Sequence, residues 1–283
     1  MTKIEIQNLG YSYDGEHMTL EGVDLTLDRP GLYCIVGPNG VGKSTLVKCI
    51  NRINKPSKGK VLIDGIDSAG MKQKDISRVI GYVPTVSEDV FSMPVIDAIE
   101  IGLFNSGRNN KKENLESVYR IMKLLHIRNL ANSGFKELSA GQHQKVSLAR
   151  GLVQDTPVLI LDEPTSNLDV KFQIYVAELL RGLAISEDKI IIMISHDLNI
   201  AARYAHEIIM LCRPGRLYCR GLPKDTITVE NLKKVYDIDC KVLDVDGCPH
   251  VVPGNSVMSE DDLDLSAPLK SGIRSLFRRR LSL

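Results

Sequence analysis

The chain reads Gly37-Pro38-Asn39-Gly40-Val41-Gly42-Lys43-Ser44-Thr45 between two apolar runs, at residues 32–36 and 46–50. The first run predicts a buried strand and the second a helix. A glycine-rich turn in this context can aim successive N–H groups into one concavity, and the helix N-terminus adds partial positive charge. We therefore predict a nucleotide-phosphate site, with Lys43 on the β- and γ-phosphates, Ser44 on Mg²⁺ and Thr45 on the α-phosphate.

The composition is that of an ordinary globular protein, with 283 residues, 43% of them hydrophobic, 25% charged, and a net charge of +1. Because this charge creates no overall field and aromatic residues are sparse, we expect no nucleic-acid partner. The six cysteines form no C-x-x-C pair, which favours a reduced, cytosolic protein. No apolar run approaches the ~20 residues of a membrane helix, and the alternating N-terminus predicts a strand rather than a signal peptide.

The first 30 residues alternate polar and apolar side chains, which predicts short antiparallel strands with one solvated face. Tyr13 follows Tyr11 on the same face, and we predict that it stacks on an adenine ring; the alternative is a tyrosine packed in the sheet. Residues 86–157 carry helical spacing and are predicted to form a helical insertion. Within it, residues 105–112 are predicted as a polar loop and 115–125 as a helix.

A second aliphatic run, at residues 158–161, ends in Asp162 and Glu163. A buried parallel strand would deliver both carboxylates to the sheet edge where ligands bind in open α/β sheets. Asp162 is suited to hold Mg²⁺ through water, and Glu163 to orient or deprotonate an attacking water; the alternative is an acidic turn. His196 follows a similar strand at 189–195, so we predict a γ-phosphate contact rather than a purely packing role.

Leu138-Ser139-Ala140-Gly141-Gln142 precedes another segment of helical spacing, for which Ser139 is the predicted N-cap. The turn is either an ordinary capped helix or a second phosphate-binding helix N-terminus.

Together these motifs resemble the nucleotide-binding subunit of an ABC transporter across residues 1–220. Residues 37–45 resemble the Walker A motif and residues 158–163 the Walker B motif. Residues 138–142 resemble the LSGGQ signature, with Ala140 in place of the first glycine. Residues 166–169 are similar to the D-loop, and His196 is similar to the switch histidine.

The resemblance implies an α/β fold, with a P-loop NTPase core, an N-terminal antiparallel β subdomain and an inserted α-helical subdomain. Residues 1–220 would form the nucleotide-binding domain, 221–253 a small C-terminal extension, and 254–283 a flexible tail. The basic end of that tail is either a loose solvated segment or a short amphipathic helix attracted to anionic lipid.

The resemblance also implies a mechanism. Two copies would face each other head to tail with two ATP molecules between them, and each would hydrolyse ATP to ADP and phosphate with Mg²⁺ as cofactor. One subunit would supply the phosphate loop, Tyr13, Asp162, Glu163 and His196. The other would supply residues across the dimer interface, namely Ser139, Ala140, Gly141, Gln142 and Asp169.

One position departs from the family pattern. Members usually carry glutamine after Tyr-Val-Pro, where this chain has Thr85. Threonine is too short to copy a glutamine that reaches Mg²⁺ and the attacking water. We therefore expect weaker positioning of the metal or the water, with ATP binding intact.

Residues 91–95, 197–205 and 221–253 resemble a narrower group, the importers for iron–siderophore, haem and cobalamin. By this resemblance, residues 91–95 belong to the surface where the coupling helix of the permease docks. This implies a peripheral subunit at the cytoplasmic face of the cell membrane, with a permease dimer and, indirectly, a substrate-binding protein as partners. A non-transport or exporter-type ABC ATPase, which would use ATP as a dimerisation switch, is the alternative. The transported molecule touches nothing in this chain.

Overall fold

The computed structural model describes residues 2–85, 93–104 and 110–256, with only the backbone of residues 255 and 256. It contains two main sheets. The N-terminal sheet has the order β2-β1-β4-β5, with every pair antiparallel. Its strands are β1 (Ile4–Ser12), β2 (Met18–Leu27), β4 (Lys58–Ile63) and β5 (Ile66–Asp67). The antiparallel sheet predicted for the N-terminus is therefore confirmed.

The second sheet has the order β10-β9-β3-β8-β7-β6. It is parallel from β9 to β6, and β10 adds an antiparallel edge. Its strands are β3 (Gly31–Val36), β6 (Ile80–Val83), β7 (Val158–Asp162), β8 (Ile190–Ile194), β9 (Glu207–Cys212) and β10 (Arg216–Gly221). Every residue of β3, β7 and β8 is buried, as their uninterrupted apolar runs predict.

Two hydrophobic cores cover the two faces of this parallel sheet. On β3, Cys34 belongs to one core and Ile35 to the other, because successive side chains point to opposite faces. One core also takes in the N-terminal sheet and α1 (Lys43–Ile50). The other contains the helical insertion together with α6 (Val170–Ser186) and α7 (Leu198–Tyr204). The parallel strands are thus buried on both sides, and their carboxyl ends meet at one edge.

The helical insertion lies between β6 and β7, as predicted. After α2 (Gln73–Val79) and β6, it contains α3 (Val95–Glu100), α4 (Lys111–Leu124) and α5 (Ala140–Leu152). The prediction that residues 111 and 112 belong to a loop is wrong. The Asn110 side chain accepts a hydrogen bond from the Lys112 N–H and starts α4 at Lys111.

The C-terminal extension is a small unit of α8 (Pro223–Thr226), α9 (Val229–Tyr236) and a hairpin of β11 (Ile238–Val245) and β12 (Cys248–Ser256). Asn199 on α7 fastens the hairpin, because its side chain both donates to the Val251 carbonyl and accepts from the Val251 N–H. β12 continues through residue 256, two residues beyond the predicted start of the tail at 254, and residues 257–283 lie outside the described residues. In the described part of the chain, no helix has both the length and the apolar character needed to cross a membrane.

Candidate functional site

The predicted phosphate loop joins the end of β3 to the start of α1. Its backbone depends on glycine at two positions. Gly37 has φ 150°, and a Cβ there would lie 2.5 Å from the Leu211 carbonyl oxygen. Gly42, the residue before α1, has φ 101°, and a Cβ would lie 2.9 Å from the Thr19 carbonyl oxygen. Any side chain would therefore push the loop away from the strands that shape it.

Lys43 lies at the base of this loop and is only 6% exposed. Its ammonium group donates hydrogen bonds to the carbonyls of Gly37 at 2.8 Å and Pro38 at 3.0 Å. Burial lowers the pKa of Lys43, while the nearby carboxylates of Glu163 and Asp162 act in the opposite direction. The loop thus holds a cation beside two anionic side chains.

The structure brings Ser44 and Asp162 together. The Ser44 hydroxyl donates to Asp162 Oδ1 at 3.1 Å, and Asp162 is 3% exposed at the end of β7. Burial is the main reason why the pKa of Asp162 is raised; the Glu163 charge adds to the rise and the Ser44 hydrogen bond opposes it. A hydroxyl and a carboxylate side by side are the oxygen donors that Mg²⁺ prefers, so these residues fit the metal that the fold family implies.

Glu163 and His196 form the second pair at this edge. His196 Nε2 and Glu163 Oε1 are 2.5 Å apart, and both side chains are partly exposed. The Glu163 backbone has φ 53°, in the left-handed region that non-glycine residues rarely adopt. Such a conformation is costly and persists only where neighbouring groups hold it. The acidic-turn alternative accounts for the backbone, but not for a carboxylate paired with a histidine from the next strand.

A cleft of about 590 Å³ opens over Ser44 and over the pair of Glu163 and His196. Its lining includes the phosphate loop, both members of the second pair, Thr19 on β2 and Tyr13 just after β1; the full list is Tyr13, Thr19, Asn39, Gly40, Gly42, Lys43, Ser44, Thr45, Glu163 and His196. The Tyr13 hydroxyl lies 3.1 Å from Thr45 Oγ1, and the residue is 64% exposed. Tyr13 is therefore not packed inside the sheet, and its ring is accessible at the rim of the cleft.

Thr85 lies at the same edge. Its hydroxyl donates to the Asp162 backbone carbonyl at 3.4 Å, and the residue is exposed. Thr85, which replaces the longer glutamine of the family pattern, thus contacts the backbone of Asp162, whose side chain is the proposed metal ligand.

The turn at residues 138–142 caps α5. Ser139 Oγ accepts from the Gln142 N–H at 3.3 Å, and Gln142 Oε1 accepts from the Ser139 N–H at 2.8 Å, which forms a capping box. Ala140 is exposed, so its methyl group meets no steric obstacle within the subunit. Gly141 approaches the loop after β7 closely, because a Cβ would lie 2.9 Å from the Asn167 carbonyl oxygen.

The structure keeps this turn apart from the cleft of its own subunit. Among the described residues, the cleft lining includes none of Ser139, Ala140, Gly141, Gln142 and Asp169. Asp169 is exposed at the start of α6, where its side chain accepts from the Phe172 N–H at 2.8 Å. The structure therefore does not bring these predicted residues to the phosphate loop of the same subunit.

Sequence reasoning missed Gln144. The residue is fully buried, and its Nε2 donates to the Glu163 carbonyl at 3.3 Å. A signal was present, since Gln144 lies on the stripe of α5 that also contains Ser147, Leu148 and Gly151, all of them buried. A polar residue on a buried stripe requires a partner.

Known proteins share the sequence and the fold of this chain. The ABC transporter family profile matches residues 20–166. The ferric enterobactin transport ATP-binding protein FepC of Escherichia coli is 34% identical over 253 residues, which cover 87% of this chain and 91% of FepC. The cobalamin import ATP-binding protein BtuD of Halobacterium salinarum is 36% identical over 219 residues, 77% of this chain and 55% of BtuD. The dimeric structure of MJ0796, a bacterial ABC transporter cassette, has a TM-score of 0.70 and 28% identity, and the match covers 78% of this chain and 98% of that one.

Proposed function

This chain belongs to the ABC transporter family of ATP-binding proteins, and from that premise we propose that it is the ATP-hydrolysing subunit of an importer for iron chelates or cobalamin. The observation that carries the proposal is the meeting of two pairs, Ser44 with Asp162 and Glu163 with His196, at the edge where the Lys43 loop opens. These are the groups that phosphoryl transfer to water requires.

The residues divide the reaction between them. The loop N–H groups and Lys43 bind the phosphates of ATP, and Tyr13 stacks on the adenine. Ser44 and Asp162 hold Mg²⁺, which supplies charge neutralisation on the phosphates when it is bound. The Glu163 carboxylate takes a proton from the attacking water, and His196 holds that carboxylate while its ring contacts the γ-phosphate. The products are ADP and phosphate.

Two copies complete each site. Since the Ser139 turn does not line the cleft of its own subunit, it is free to approach the nucleotide of a second copy. The N-terminal N–H groups of α5 and the Ser139 hydroxyl would then cap the γ-phosphate, and Asp169 would lie between the two sites. The dimeric cassette among the structural relatives supports this arrangement. Loss of the γ-phosphate removes the charge shared by the two subunits and releases them.

A groove beside the helical insertion is the surface we assign to the permease. It exposes three large apolar side chains, Ile53 at 54%, Ile101 at 51% and Phe104 at 88%. An apolar patch of this kind marks an interaction site, here for an amphipathic helix. Of the predicted docking stretch at 91–95, Val95 is buried, while residues 91 and 92 lie outside the described residues. Through this contact the subunit would sit peripherally at the cytoplasmic face of the membrane, and a substrate-binding protein would act from the other side.

The test is co-purification with a permease, together with ATP-dependent uptake. The chain should co-purify with a polytopic membrane protein from detergent-solubilised membranes of its source, and uptake of a ferric chelate or cobalamin should depend on ATP. Phe104→Asp should abolish co-purification and uptake while basal ATPase activity persists. Ile66→Asp, which changes an exposed apolar residue on β5 outside the groove, is the control and should retain both. Co-purification with a soluble assembly instead of a permease would overturn the transport assignment.

A further inference from the structure

Gln144 connects the two halves of the proposed machinery within one subunit. It lies on α5, the helix whose first turn carries Ser139, and its amide nitrogen donates to the backbone carbonyl of Glu163 at 3.3 Å. Along the chain the two residues are 19 positions apart. The bond therefore joins the helix that would act on the partner's nucleotide to the peptide that carries the general base for the subunit's own nucleotide.

The Glu163 carbonyl would have hydrogen-bond donors even without Gln144. The carbonyl also accepts from Ser166 Oγ at 3.1 Å and from the Ser166 N–H at 3.3 Å. Both of those bonds come from the turn that follows β7, so they move with Glu163 and cannot fix it relative to another element. Gln144 is the partner that fixes this peptide to α5.

Burying the Gln144 side chain also lowers the stability of the fold. It is fully buried, and within the described residues its Oε1 atom has no hydrogen-bond partner. An apolar residue of the same length would avoid leaving a buried acceptor unpaired. A purely structural role would favour methionine or leucine at this position, next to Leu148 and Val146 on the same helix.

From these three observations we infer that Gln144 is a positioning residue for the ATPase reaction: it holds the left-handed peptide of Glu163 against the helix that carries the Ser139 turn. The inference rests on the proposed function. The Glu163 backbone, at φ 53°, must be held by its neighbours, and without Gln144 the peptide can relax and carry the carboxylate away from the attacking water. A displacement of about 1 Å at a reacting group costs as much as 10²-fold in rate.

The test compares Gln144→Met with a matched control in the full-length chain. Gln173 on α6 donates from its Nε2 to the Thr165 carbonyl at 3.1 Å, so its hydrogen bond fixes the same loop to α6 instead of α5. Gln144→Met should lower kcat about tenfold, with KM for MgATP within about twofold of the wild type. Its melting temperature should be unchanged or higher, because the unpaired Oε1 is removed. Gln173→Met should change kcat by less than about twofold.

A double-mutant cycle separates this inference from the proposed function. If Gln144 acts through Glu163, Gln144→Met adds less than about twofold to the loss caused by Glu163→Gln. Additive losses would overturn the positioning role, and so would an unchanged kcat or an equal loss in Gln173→Met. By contrast, full activity in Glu163→Gln alone would overturn the general-base assignment, whatever Gln144→Met does.

Discussion

The Ser44 hydroxyl donates a 3.1 Å hydrogen bond to the Asp162 carboxylate, although 118 positions separate the two residues. Parallel strands β3 and β7 place them at one edge of the sheet, with β8 between them. This pair defines the proposed Mg²⁺ ligands, and it can be tested without any partner protein.

Ser44→Ala should raise the Mg²⁺ concentration required for half-maximal ATPase activity about 10–100-fold, because one of two oxygen donors is lost. Titration of MgCl₂ at fixed ATP measures this. Ser77→Ala is the control, since that hydroxyl donates to the Lys74 carbonyl of its own helix. An unchanged Mg²⁺ requirement in Ser44→Ala would remove Ser44 from the metal site.

Glu163→Gln should reduce kcat about 10²–10⁴-fold, the usual contribution of a general base. The amide keeps the shape of the side chain, so ATP should still bind and the ATP-loaded dimer should accumulate. Light scattering with and without MgATP measures the molar mass of the protein and so distinguishes monomer from dimer. Glu116→Gln, at an exposed position on α4, should behave as the wild type. Failure of Glu163→Gln to form an ATP-dependent dimer would contradict the role assigned to this carboxylate.

Thr85→Gln should raise ATPase turnover by about twofold or more, because a longer amide can reach past the Asp162 carbonyl to the metal and the water. The affinity for ATP should stay the same. Steady-state ATPase kinetics at saturating Mg²⁺ measure both kcat and KM for ATP. A turnover equal to or below that of the wild type would mean that Thr85 is already sufficient for water positioning.

His206 predicts a dependence of stability on pH. Its Nδ1 accepts a hydrogen bond from the Leu32 N–H at 2.8 Å, and burial, aided by Arg181, lowers its pKa from the ordinary value while Glu207 opposes the shift. The folded state therefore binds this proton less readily than the unfolded state. The contribution of His206 to the free energy of unfolding is fully present above about pH 6.5 and is lost as the pH falls below that value.

His206→Gln keeps an acceptor that does not titrate, so the fall in melting temperature from about pH 7.5 to about pH 5.5 should be smaller than in the wild type. Identical slopes in the two proteins would show that His206 does not contribute.

Much of the fold could be predicted because its signals are local. The apolar runs of β3, β7 and β8 and the glycine-rich turn before α1 each define an element within ten residues. The start of α4 was missed because it depends on one capping side chain, Asn110. Gln144 was missed for a different reason: its importance depends on which stripe of α5 packs against the turn after β7, and helical periodicity gives the stripe but not the neighbour.

The separation of the Ser139 turn from the cleft of its own subunit has a consequence for any assay. If a second molecule completes the cleft, as proposed, its binding obeys mass action, and activity per mole of protein should decline on dilution below the dissociation constant of the ATP-bound pair. Tethering two copies with a flexible linker should abolish that decline, because the linker, and not the total protein concentration, then sets the effective concentration of one copy near the other.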